Sequence, residues 1–454
     1  MAVASDRVSR IGLRNRVGSV DLLDTTERRG SGGQTPTQTG VKRCAKRCEG
    51  KRCVVSNRDR KLFFFANAVW GDLVGGGDIH FYELARGAAE AGWKVYCFGG
   101  PALKQHVLRE RLPVEVILTE KTRRPKINEG SLRGQIQMFC DYVERCVRSI
   151  GQLGIVGRND TTYSVTDYWC DSIPMLLSRS RSKAMVFHME APTLMEILRK
   201  GRPDVEAGRL ASFHYWLSQR FSLNALALFR NKHLFLLHPA MRPQALEMGY
   251  QPGELSPISY GLDVATAESV PQQARQFDVC WIGRVHRQKG VGDLLEACAR
   301  LTRIFPDFKA VFMGKVEAGL RPQVEALGLS DRVFFPGFVS EAEKFRLFKS
   351  SRLFLMPSRH EGSPRVVGEA LACEVPVLAY DLPTYRPVFG AYARYVKPFD
   401  LDAFCREAEV LIRASRSGDN YLDSMDLAKF RRENSWEEAR RVFLEAIEHR
   451  LAQA

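Results

Sequence analysis

Residues 62–98 read LFFFANAVWGDLVGGGDIHFYELARGAAEAGWKVYCF, and this stretch decides the fold. Its first five residues form a continuous apolar run, as expected of a strand buried on both faces. A run of three glycines at 75–77 follows, and apolar residues then recur at helical spacing between 79 and 89. The segment 94–98 predicts a second strand. Strand, glycine loop, helix and strand make one βαβ unit, which commits the sheet to parallel pairing.

The same alternation continues through the chain with one interruption. Residues 251–276 lose the periodicity and contain three prolines, which indicates a linker between two domains. The sequence therefore predicts an α/β protein of two doubly wound domains, with its ligand in the cleft between them. Before the linker, strands are predicted at 114–118, 184–187 and 234–237 and helices at about 133–149, 208–229 and 241–248. After the linker, strands are predicted at 278–282, 310–313, 333–335, 353–356 and 375–379 and helices at about 290–303 and from about 364.

Positive charge is concentrated at the start of the chain. Residues 1–60 hold 14 Lys and Arg against 6 Asp and Glu, so they contribute +8 of the net charge of +15. The stretch 30–40 is low in apolar residues, which predicts a disordered or poorly ordered basic tail. Residues 61–255 are predicted to form an N-terminal domain, 256–431 a C-terminal domain, and 432–454 a helix that packs back on the N-terminal domain.

The cellular location follows from two absences in the sequence. No run of about 18 apolar residues occurs, so no membrane span is expected. The first 30 residues contain Asp and several Arg with no long apolar stretch, so no secretory signal is visible. A cytoplasmic location is therefore expected, and peripheral contact with the inner face of an anionic membrane is left open.

The segment 357–373, PSRHEGSPRVVGEALAC, is the richest in candidate ligand-binding groups. Pro364 suits the first turn of a helix, whose backbone N–H groups near 363–367 would face the cleft and suit a phosphate. Glu361 on the preceding loop and Glu369 on the helix would bracket that anion site. The alternative is that both carboxylates are ordinary solvated charges.

Two loops after predicted strands carry further candidates. In the segment 283–290, GRVHRQKG, Arg284 and Lys289 flank the start of a helix and are suited to hold a diphosphate, although a basic loop can also be merely solvated. Gly75, Gly76 and Gly77 would let the backbone approach a ligand closely, or form a flexible turn. Neither loop is a dinucleotide-binding fingerprint or a P-loop.

His188 ends an apolar strand, so its imidazole is expected either at the cleft or in a structural contact. Asp400 and Asp402 have the Asp-x-Asp form of metal-dependent sugar transferases, but they precede a helix, and helix capping is the better interpretation. No bound metal is predicted.

These segments, in this order, resemble the retaining GT-B glycosyltransferases of the "glycosyl transferases group 1" family (family four). The resemblance runs from about residue 62 to the C-terminus. It includes the glycine loop with His80, the strand-end His188, and the interdomain segment 259–263, where Tyr260 replaces the usual Asn. It further includes Gly283-Arg284 with Lys289-Gly290, the Glu-x7-Glu pair of Glu361 and Glu369, and the C-terminal Ser435-Trp436-Glu437. Two departures are Glu374, where the family usually has Gly, and the segment 380–384 in place of a Gly-Gly turn.

The resemblance implies two Rossmann-like domains and a retaining, metal-independent hexosyltransferase that needs no cofactor. Its substrates would be a nucleotide-diphosphate-sugar donor and a saccharide or lipid-linked acceptor, as in polysaccharide biosynthesis. Glu369 would bind the ribose, Arg284 and Lys289 the diphosphate, and Glu361 and His188 the donor sugar, while the acceptor would lie near the glycine loop. The implied catalytic residues are His188, Arg284, Lys289 and Glu361, and the implied donor-binding residues are Gly75, Gly76, Gly77, Gly283, Ser363, Pro364, Arg365, Val366, Val367 and Glu369.

Two other kinds of function stay open on the sequence. One is a sugar phosphorylase or sugar-phosphate synthase on the same architecture. The other is a non-enzymatic binder of membranes or nucleic acid that acts through the basic tail. Nucleic acid is not an expected partner, because the tail has no interleaved aromatic residues and no RNA-binding signature occurs.

Overall fold

The structure is a computed structural model and describes residues 60–69, 76–120, 132–190, 192–200, 209–283, 285, 287–315 and 319–452. The predicted tail at 1–60 lies almost entirely outside these residues, as do Gly75 and Arg284.

The first domain is built on a sheet of seven strands in the order β3-β2-β1-β4-β5-β6-β7. All its strand pairs are parallel. In β1, Leu62 and Phe64 belong to one buried cluster, while Phe63 and Phe65 belong to another on the opposite face of the sheet. A core on each face explains the continuous apolar run of this strand. The strands are β1 (Lys61–Phe65), β2 (Lys94–Gly99), β3 (Glu115–Leu118), β4 (Thr161–Ser164), β5 (Ser182–Phe187), β6 (Asn231–Leu236) and β7 (Leu255–Pro257).

Seven helices accompany this sheet in the described part of the chain: α1 (Gly76–Glu90), α2 (Pro101–Arg109), α3 (Leu132–Gly151), α4 (Trp169–Leu177), α5 (Leu194–Lys200), α6 (Arg209–Ala227) and α7 (Arg242–Glu247). None of the helices in the described ranges is long and apolar enough to cross a membrane.

The second domain repeats the arrangement with six parallel strands in the order β10-β9-β8-β11-β12-β13. Buried clusters again cover both faces of the sheet. The strands are β8 (Phe277–Ile282), β9 (Ala310–Met313), β10 (Val333–Gly337), β11 (Ser351–Met356), β12 (Val377–Tyr380) and β13 (Arg394–Val396). The helices are α8 (Val264–Ser269), α9 (Val291–Ile304), α10 (Leu320–Ala326), α11 (Glu341–Lys349), α12 (Arg365–Ala372), α13 (Arg386–Phe389), α14 (Leu401–Arg416) and α15 (Leu427–Glu433).

The last helix, α16 (Trp436–Ala452), returns to the first domain. Its side chains Ala439, Phe443 and Ile447 are buried in the cluster that holds Leu62 and Phe64. The crossing point is a short β-bridge between Leu262 and Ser435. Gly261 beside it has φ +69°, and a Cβ there would overlap the ring of Trp436. Only glycine fits this backbone without moving the helix.

The predicted pair of doubly wound α/β domains is confirmed, and three local expectations are corrected. The region 251–276 is not a plain linker, because β7 adds to the first sheet and α8 packs in the second domain. The sheet therefore extends two residues beyond the predicted boundary at 255. Gly76 and Gly77 are the first residues of α1 and not part of the loop.

Strand β4 was not predicted because its four residues, Thr-Thr-Tyr-Ser, lack an apolar run. They are all buried, because β4 is the middle strand of the sheet, between β1 and β5. The Thr162 hydroxyl donates a hydrogen bond to the Ser182 carbonyl, and the Ser164 hydroxyl donates one to the Thr166 carbonyl. Both buried hydroxyls are therefore paired. The edge strand β13 was also missed, and it has only three residues.

Candidate functional site

Each sheet reverses its strand order at one place, and the candidate residues gather there. The reversal lies between β1 and β4 in the first sheet and between β8 and β11 in the second. In doubly wound sheets, ligands bind beyond the carboxyl ends of the strands at such a point. Lys289 follows β8 and Glu361 follows β11, so both come from the switch point of the second sheet.

Lys289 and Glu361 are in direct contact. The Lys289 Nζ lies 2.6 Å from Glu361 Oε1, and Glu361 is buried. The two loops are also held by their backbones, since the Arg359 N–H donates to the Gln288 carbonyl at 2.7 Å and the Gln288 side chain donates to the His360 carbonyl at 2.9 Å. The pair is therefore a fixed part of the site and not a chance surface contact.

Gly290 permits this close approach of the two loops. It has φ +65°, and a Cβ there would overlap the carbonyl oxygen of Pro357. Any other residue would push the Lys289 turn away from the loop after β11.

The start of α12 lies directly beyond this pair in the chain. Pro364 is the residue before the helix, and no side chain caps the first turn. Ser363, Arg365 and Val366 are half-buried, whereas Pro364 and Val367 are buried. A helix start without a side-chain cap presents N–H groups and the positive end of the helix dipole, which suit an anion.

Glu369 belongs to a buried cluster of charges. Its Oε1 accepts hydrogen bonds from Lys344 Nζ at 2.9 Å, and Arg365 Nε lies at the same distance from it. Lys344 on α11 is itself buried and also contacts Glu341 at 2.7 Å. The other oxygen, Glu369 Oε2, is buried and has no hydrogen-bond partner among the described residues. An unpaired buried carboxylate oxygen is costly, so it is suited to accept a hydrogen bond from a ligand.

The two cations keep the Glu369 carboxyl ionised. Burial alone would raise its pKa, but Lys344 and then Arg365 outweigh burial and lower the pKa below its usual value. The group is thus a permanent hydrogen-bond acceptor at neutral pH.

From the first domain, His188 follows β5 and is supported by Asp167. The Asp167 carboxylate accepts hydrogen bonds from the His188 backbone N–H at 3.2 Å and from Gln219 at 2.8 Å. It also lies 4.0 Å from His188 Nδ1. Burial lowers the pKa of His188, and Asp167 offsets this only in part, so the imidazole is neutral at neutral pH.

The first turn of α1 lies against the same histidine. A Cβ on Gly77 would come 3.7 Å from His188 Nε2, an ordinary contact distance. Gly76, in contrast, faces open space. His80, one turn further along, is buried, and burial lowers its pKa to about 3. Its ring meets the ring of Tyr260 edge-on, with the centroids 5.5 Å apart.

The two domains meet at these residues. A Cβ on Gly362 would lie 3.7 Å from the carbonyl oxygen of His188 and 3.6 Å from Met189 Cγ. The loop that carries Glu361 therefore lies against the strand end that carries His188. Tyr260 lies in the crossing segment between the domains. Burial raises the pKa of its hydroxyl, and the nearby carboxylates of Asp167 and Glu361 raise this pKa further.

The structure thus brings together most of the predicted site residues. His188, Lys289, Glu361, Gly76, Gly77 and the α12 start with Glu369 lie around one cleft. Gly283 lies at the end of β8, and its N–H donates to the Met313 carbonyl at 3.2 Å. Arg284 and Gly75 are outside the described residues, so their placement stays a prediction.

Three neighbours of the site were not predicted: Asp167, Lys344 and Tyr260. Lys344 and Asp167 are ordinary charged residues in sequence, and only the tertiary structure shows them buried against Glu369 and His188. Tyr260 could have been predicted as a site residue, because it stands where the family that this sequence resembles usually has Asn.

Asp400 and Asp402 are accounted for by local structure. Asp400 caps α14 by accepting a hydrogen bond from the Ala403 N–H at 2.9 Å, which confirms the capping interpretation. Asp402 contacts Arg300 at 2.6 Å. Within the part of the chain that is described, no group of three or more His, Cys, Asp or Glu side chains could hold a metal ion.

Residues 266–418 match the protein family described as Glycosyl transferases group 1. This match lies within the C-terminal domain. This segment contains Lys289, Glu361 and α12, so these site residues of the second domain lie within the residues that match the family.

Relatives extend the similarity beyond this segment. A 2-deoxystreptamine N-acetyl-D-glucosaminyltransferase of Streptomyces fradiae is 24% identical over 331 residues, which cover 70% of this chain and 78% of that protein. An alpha-D-kanosaminyltransferase of Streptomyces kanamyceticus is 35% identical over 108 residues. That alignment covers 23% of this chain and spans only 28% of the length of the relative.

Solved structures show the same fold. Anabaena Alr3699/HepE in complex with UDP superposes with a TM-score of 0.60 and 17% sequence identity, covering 86% of this chain and 100% of that chain. The fold of this chain is therefore GT-B, two Rossmann-like domains that face each other across a cleft.

The two departures from the family pattern have structural explanations. Glu374 has φ +62°, a conformation that favours glycine, and its carboxylate contacts Arg431 at 2.8 Å and Gln272 at 3.1 Å. In the segment 380–384, the Thr384 hydroxyl donates to the Glu361 carbonyl at 2.8 Å. This loop thus supports Glu361 by a side chain.

Proposed function

We propose that this chain is a glycosyltransferase that transfers a hexosyl group from a nucleotide-diphosphate sugar to a saccharide or lipid-linked acceptor. The observation that carries the proposal is the group formed by Lys289, the α12 start and Glu369. One lysine cation, one uncapped helix end and one unpaired carboxylate oxygen suit the three parts of a nucleoside diphosphate.

Glu369 would hold the nucleoside end of the donor. Its Oε2 is the buried oxygen that has no partner among the described residues, so it would accept hydrogen bonds from the ribose hydroxyls. Charge-assisted hydrogen bonds of this kind contribute about 1.5–3 kcal/mol each.

Lys289 and the N–H groups at the start of α12 would hold the diphosphate. When the bond between the sugar and the phosphate breaks, its electron pair goes to the leaving phosphate oxygen. Negative charge grows on that oxygen, so these positive groups stabilise the transition state more than the bound donor. Arg284 would add to this effect if it lies where the sequence predicts.

The donor sugar would lie between Glu361 and His188. Glu361 would accept hydrogen bonds from sugar hydroxyls, and the neutral His188, held by Asp167, would contact the sugar from the other domain. The acceptor would approach from the start of α1. Its oxygen would form the new bond to the anomeric carbon on the face that the phosphate leaves, and its proton would pass to the leaving diphosphate, which gives retention.

We infer that neither a metal nor a cofactor is needed, since cationic side chains and helix N–H groups would neutralise the leaving diphosphate. The reaction should therefore continue in excess chelator. Complete loss of transfer in chelator, restored by Mn²⁺, would overturn this part of the proposal.

The proposal is tested by incubating the protein with a panel of nucleotide sugars and acceptors. Release of the nucleoside diphosphate measures turnover, and nuclear magnetic resonance of the product gives its anomeric configuration. The same configuration in donor and product is expected. An inverted product would contradict retention, and no release with any donor would contradict the proposed activity.

A further inference from the structure

Hydrogen bonds on both sides of Tyr260 fix its backbone at the crossing between the domains. The Ile258 N–H donates to the Leu236 carbonyl at 2.8 Å, which ties the crossing segment to the first sheet. The Leu262 N–H donates to the Asn434 carbonyl at 2.8 Å, which ties the segment to the start of α16. Tyr260 lies midway between these anchors, so the fold determines where its side chain begins.

The ring of Tyr260 is fixed as well. It packs against the apolar core of the first domain, and its edge-on contact with His80 holds it beside α1. Burial and then the nearby His188 lower the pKa of His80, so His188 also lies beside this pair of rings. The phenol is therefore held next to the strand end that carries His188.

The hydroxyl of Tyr260 lies where the two domains meet. The carboxylates of Asp167 from the first domain and Glu361 from the second are near enough to raise its pKa beyond the effect of burial. The phenol is therefore protonated at neutral pH and can both donate and accept a hydrogen bond. Within the described ranges, this hydroxyl forms no hydrogen bond with the protein, which leaves it available to a ligand.

Tyr260 also lines a cavity of about 360 Å³ between the two domains. Ser363 and Arg365, at the start of α12, line the same cavity from the second domain. This helix start is the proposed diphosphate site. Because the sugar of the donor is bonded directly to the diphosphate, it must lie beside this helix start and toward Tyr260.

A sugar hydroxyl suits the Tyr260 hydroxyl better than a phosphate oxygen does. The carboxylates of Asp167 and Glu361 would repel a second negative charge beside the phenol, whereas a sugar hydroxyl is neutral. A sugar hydroxyl can also accept a hydrogen bond from the phenol while it donates one to a carboxylate.

We propose that the Tyr260 hydroxyl binds one hydroxyl group of the transferred sugar and thereby helps to select the donor. This inference deepens the proposed function and rests on it, because it requires a donor sugar in the cleft. The family that this sequence resembles usually has Asn at this position, and an Asn side chain ends closer to the backbone. The contact is therefore a property of this chain.

The test is a cycle between the Tyr260 hydroxyl and each hydroxyl of the sugar. The donors are the nucleotide sugar that the wild type uses fastest in the panel and the set of its monodeoxy analogues. Tyr260→Phe removes the phenolic oxygen and keeps the ring against His80. The control is Tyr392→Phe, because Tyr392 is also half-buried, precedes β13 at the amino ends of the strands, and donates to the Asp426 carbonyl at 3.1 Å. Both variants keep their rings, so thermal unfolding should show folded protein.

With the intact donor, Tyr260→Phe is expected to lower kcat/KM by about tenfold, and Tyr392→Phe to leave it unchanged. With the deoxy donor that lacks the contacted hydroxyl, the wild type and Tyr260→Phe should have the same kcat/KM. The affinity for the free nucleoside diphosphate, measured by calorimetry, should also be the same in both proteins, because this ligand carries no sugar.

Three results would overturn the proposal and leave the proposed function intact. One is wild-type kinetics in Tyr260→Phe. Another is an equal loss with the intact donor and every deoxy donor, which would give Tyr260 a structural role. The third is a matching loss of affinity for the nucleoside diphosphate, which would assign the hydroxyl to a phosphate. A wild type that turns over no nucleotide sugar would instead contradict the proposed function, and this inference with it.

Discussion

At the scale of single residues, the site is built from charges that are already paired with each other. Glu369 is bound to Lys344 and Arg365, and Lys289 is bound to Glu361. A ligand must therefore use the remaining hydrogen-bonding capacity of these groups or compete with the existing partners. Substitutions here will change both ligand binding and protein stability, and the two effects have to be separated.

Glu369→Gln should weaken donor use by about tenfold or more, since a charge-assisted bond to the ribose is lost. It should also lower the free energy of unfolding by about 2 kcal/mol or more, because Lys344 loses its buried counter-ion. The double variant Glu369→Gln/Lys344→Met should regain part of the stability but none of the donor use. Denaturant unfolding and donor kinetics measure the two effects. Recovery of donor use together with stability would assign Glu369 a purely structural role.

The pH dependence of the free energy of unfolding should show the ionisation of Glu369. Its pKa is lowered from 4.5 in the folded protein, so its stabilising contribution is present above pH 4.5 and is lost as the pH falls through the folded pKa. Glu369→Gln should therefore unfold with a shallower loss of stability below pH 4.5 than the wild type. Equal slopes for the two proteins in acid unfolding would contradict the pairing.

Glu361→Gln should separate nucleotide binding from sugar transfer. In the ligand-free protein, Glu361 neutralises Lys289 at 2.6 Å and competes with a diphosphate for it. The variant should therefore bind a nucleoside diphosphate severalfold more tightly, while transfer falls by about tenfold or more because sugar contacts are lost. Calorimetry and turnover measurements check this. Weaker binding of the nucleoside diphosphate would contradict the competition.

At the scale of secondary structure, the sequence predicts elements well where a strand is buried on both faces. The apolar runs of β1, β5, β8 and β11 identify these strands. Apolar runs do not identify a buried strand that is filled with hydroxyl residues, as in β4, or an edge strand of only three residues, as in β13. Loop residues of the site were predictable because they follow strands, whereas Lys344 and Asp167 were not, because long-range contacts alone define their roles.

Glu374, which follows α12 by two residues, tests the conformation of a turn. Glu374→Ala keeps the unfavourable φ of +62° and loses the contact with Arg431, whereas Glu374→Gly loses the contact but relieves the backbone. The Gly variant should therefore be more stable than the Ala variant by about 1 kcal/mol.

The control is Glu407, in the interior of α14. There the order should reverse, because glycine is disfavoured inside a helix. Denaturant unfolding of the four variants measures both differences. A Glu374→Ala variant more stable than Glu374→Gly would contradict the assigned turn.

At the scale of the whole molecule, α16 and the crossing segment tie the two sheets together. The Leu262 N–H donates to the Asn434 carbonyl at 2.8 Å, and Trp436 lies against Gly261. This connection keeps the loop with Glu361 facing the strand end with His188. In the proposed function, the cleft receives binding groups from both domains, and the diphosphate-binding groups come from the second.

The central claim is that Lys289 holds the diphosphate of the donor. Calorimetric titration of a panel of nucleoside diphosphates into wild type, Lys289→Met and Lys309→Met tests it most directly. Lys309 directly precedes β9, at the amino ends of the parallel strands, whereas Lys289 lies beyond their carboxyl ends, so Lys309 serves as a control away from the site. We expect at least one nucleoside diphosphate to bind the wild type and Lys309→Met equally, and Lys289→Met about tenfold or more weakly. Equal affinity of all three proteins would contradict the account.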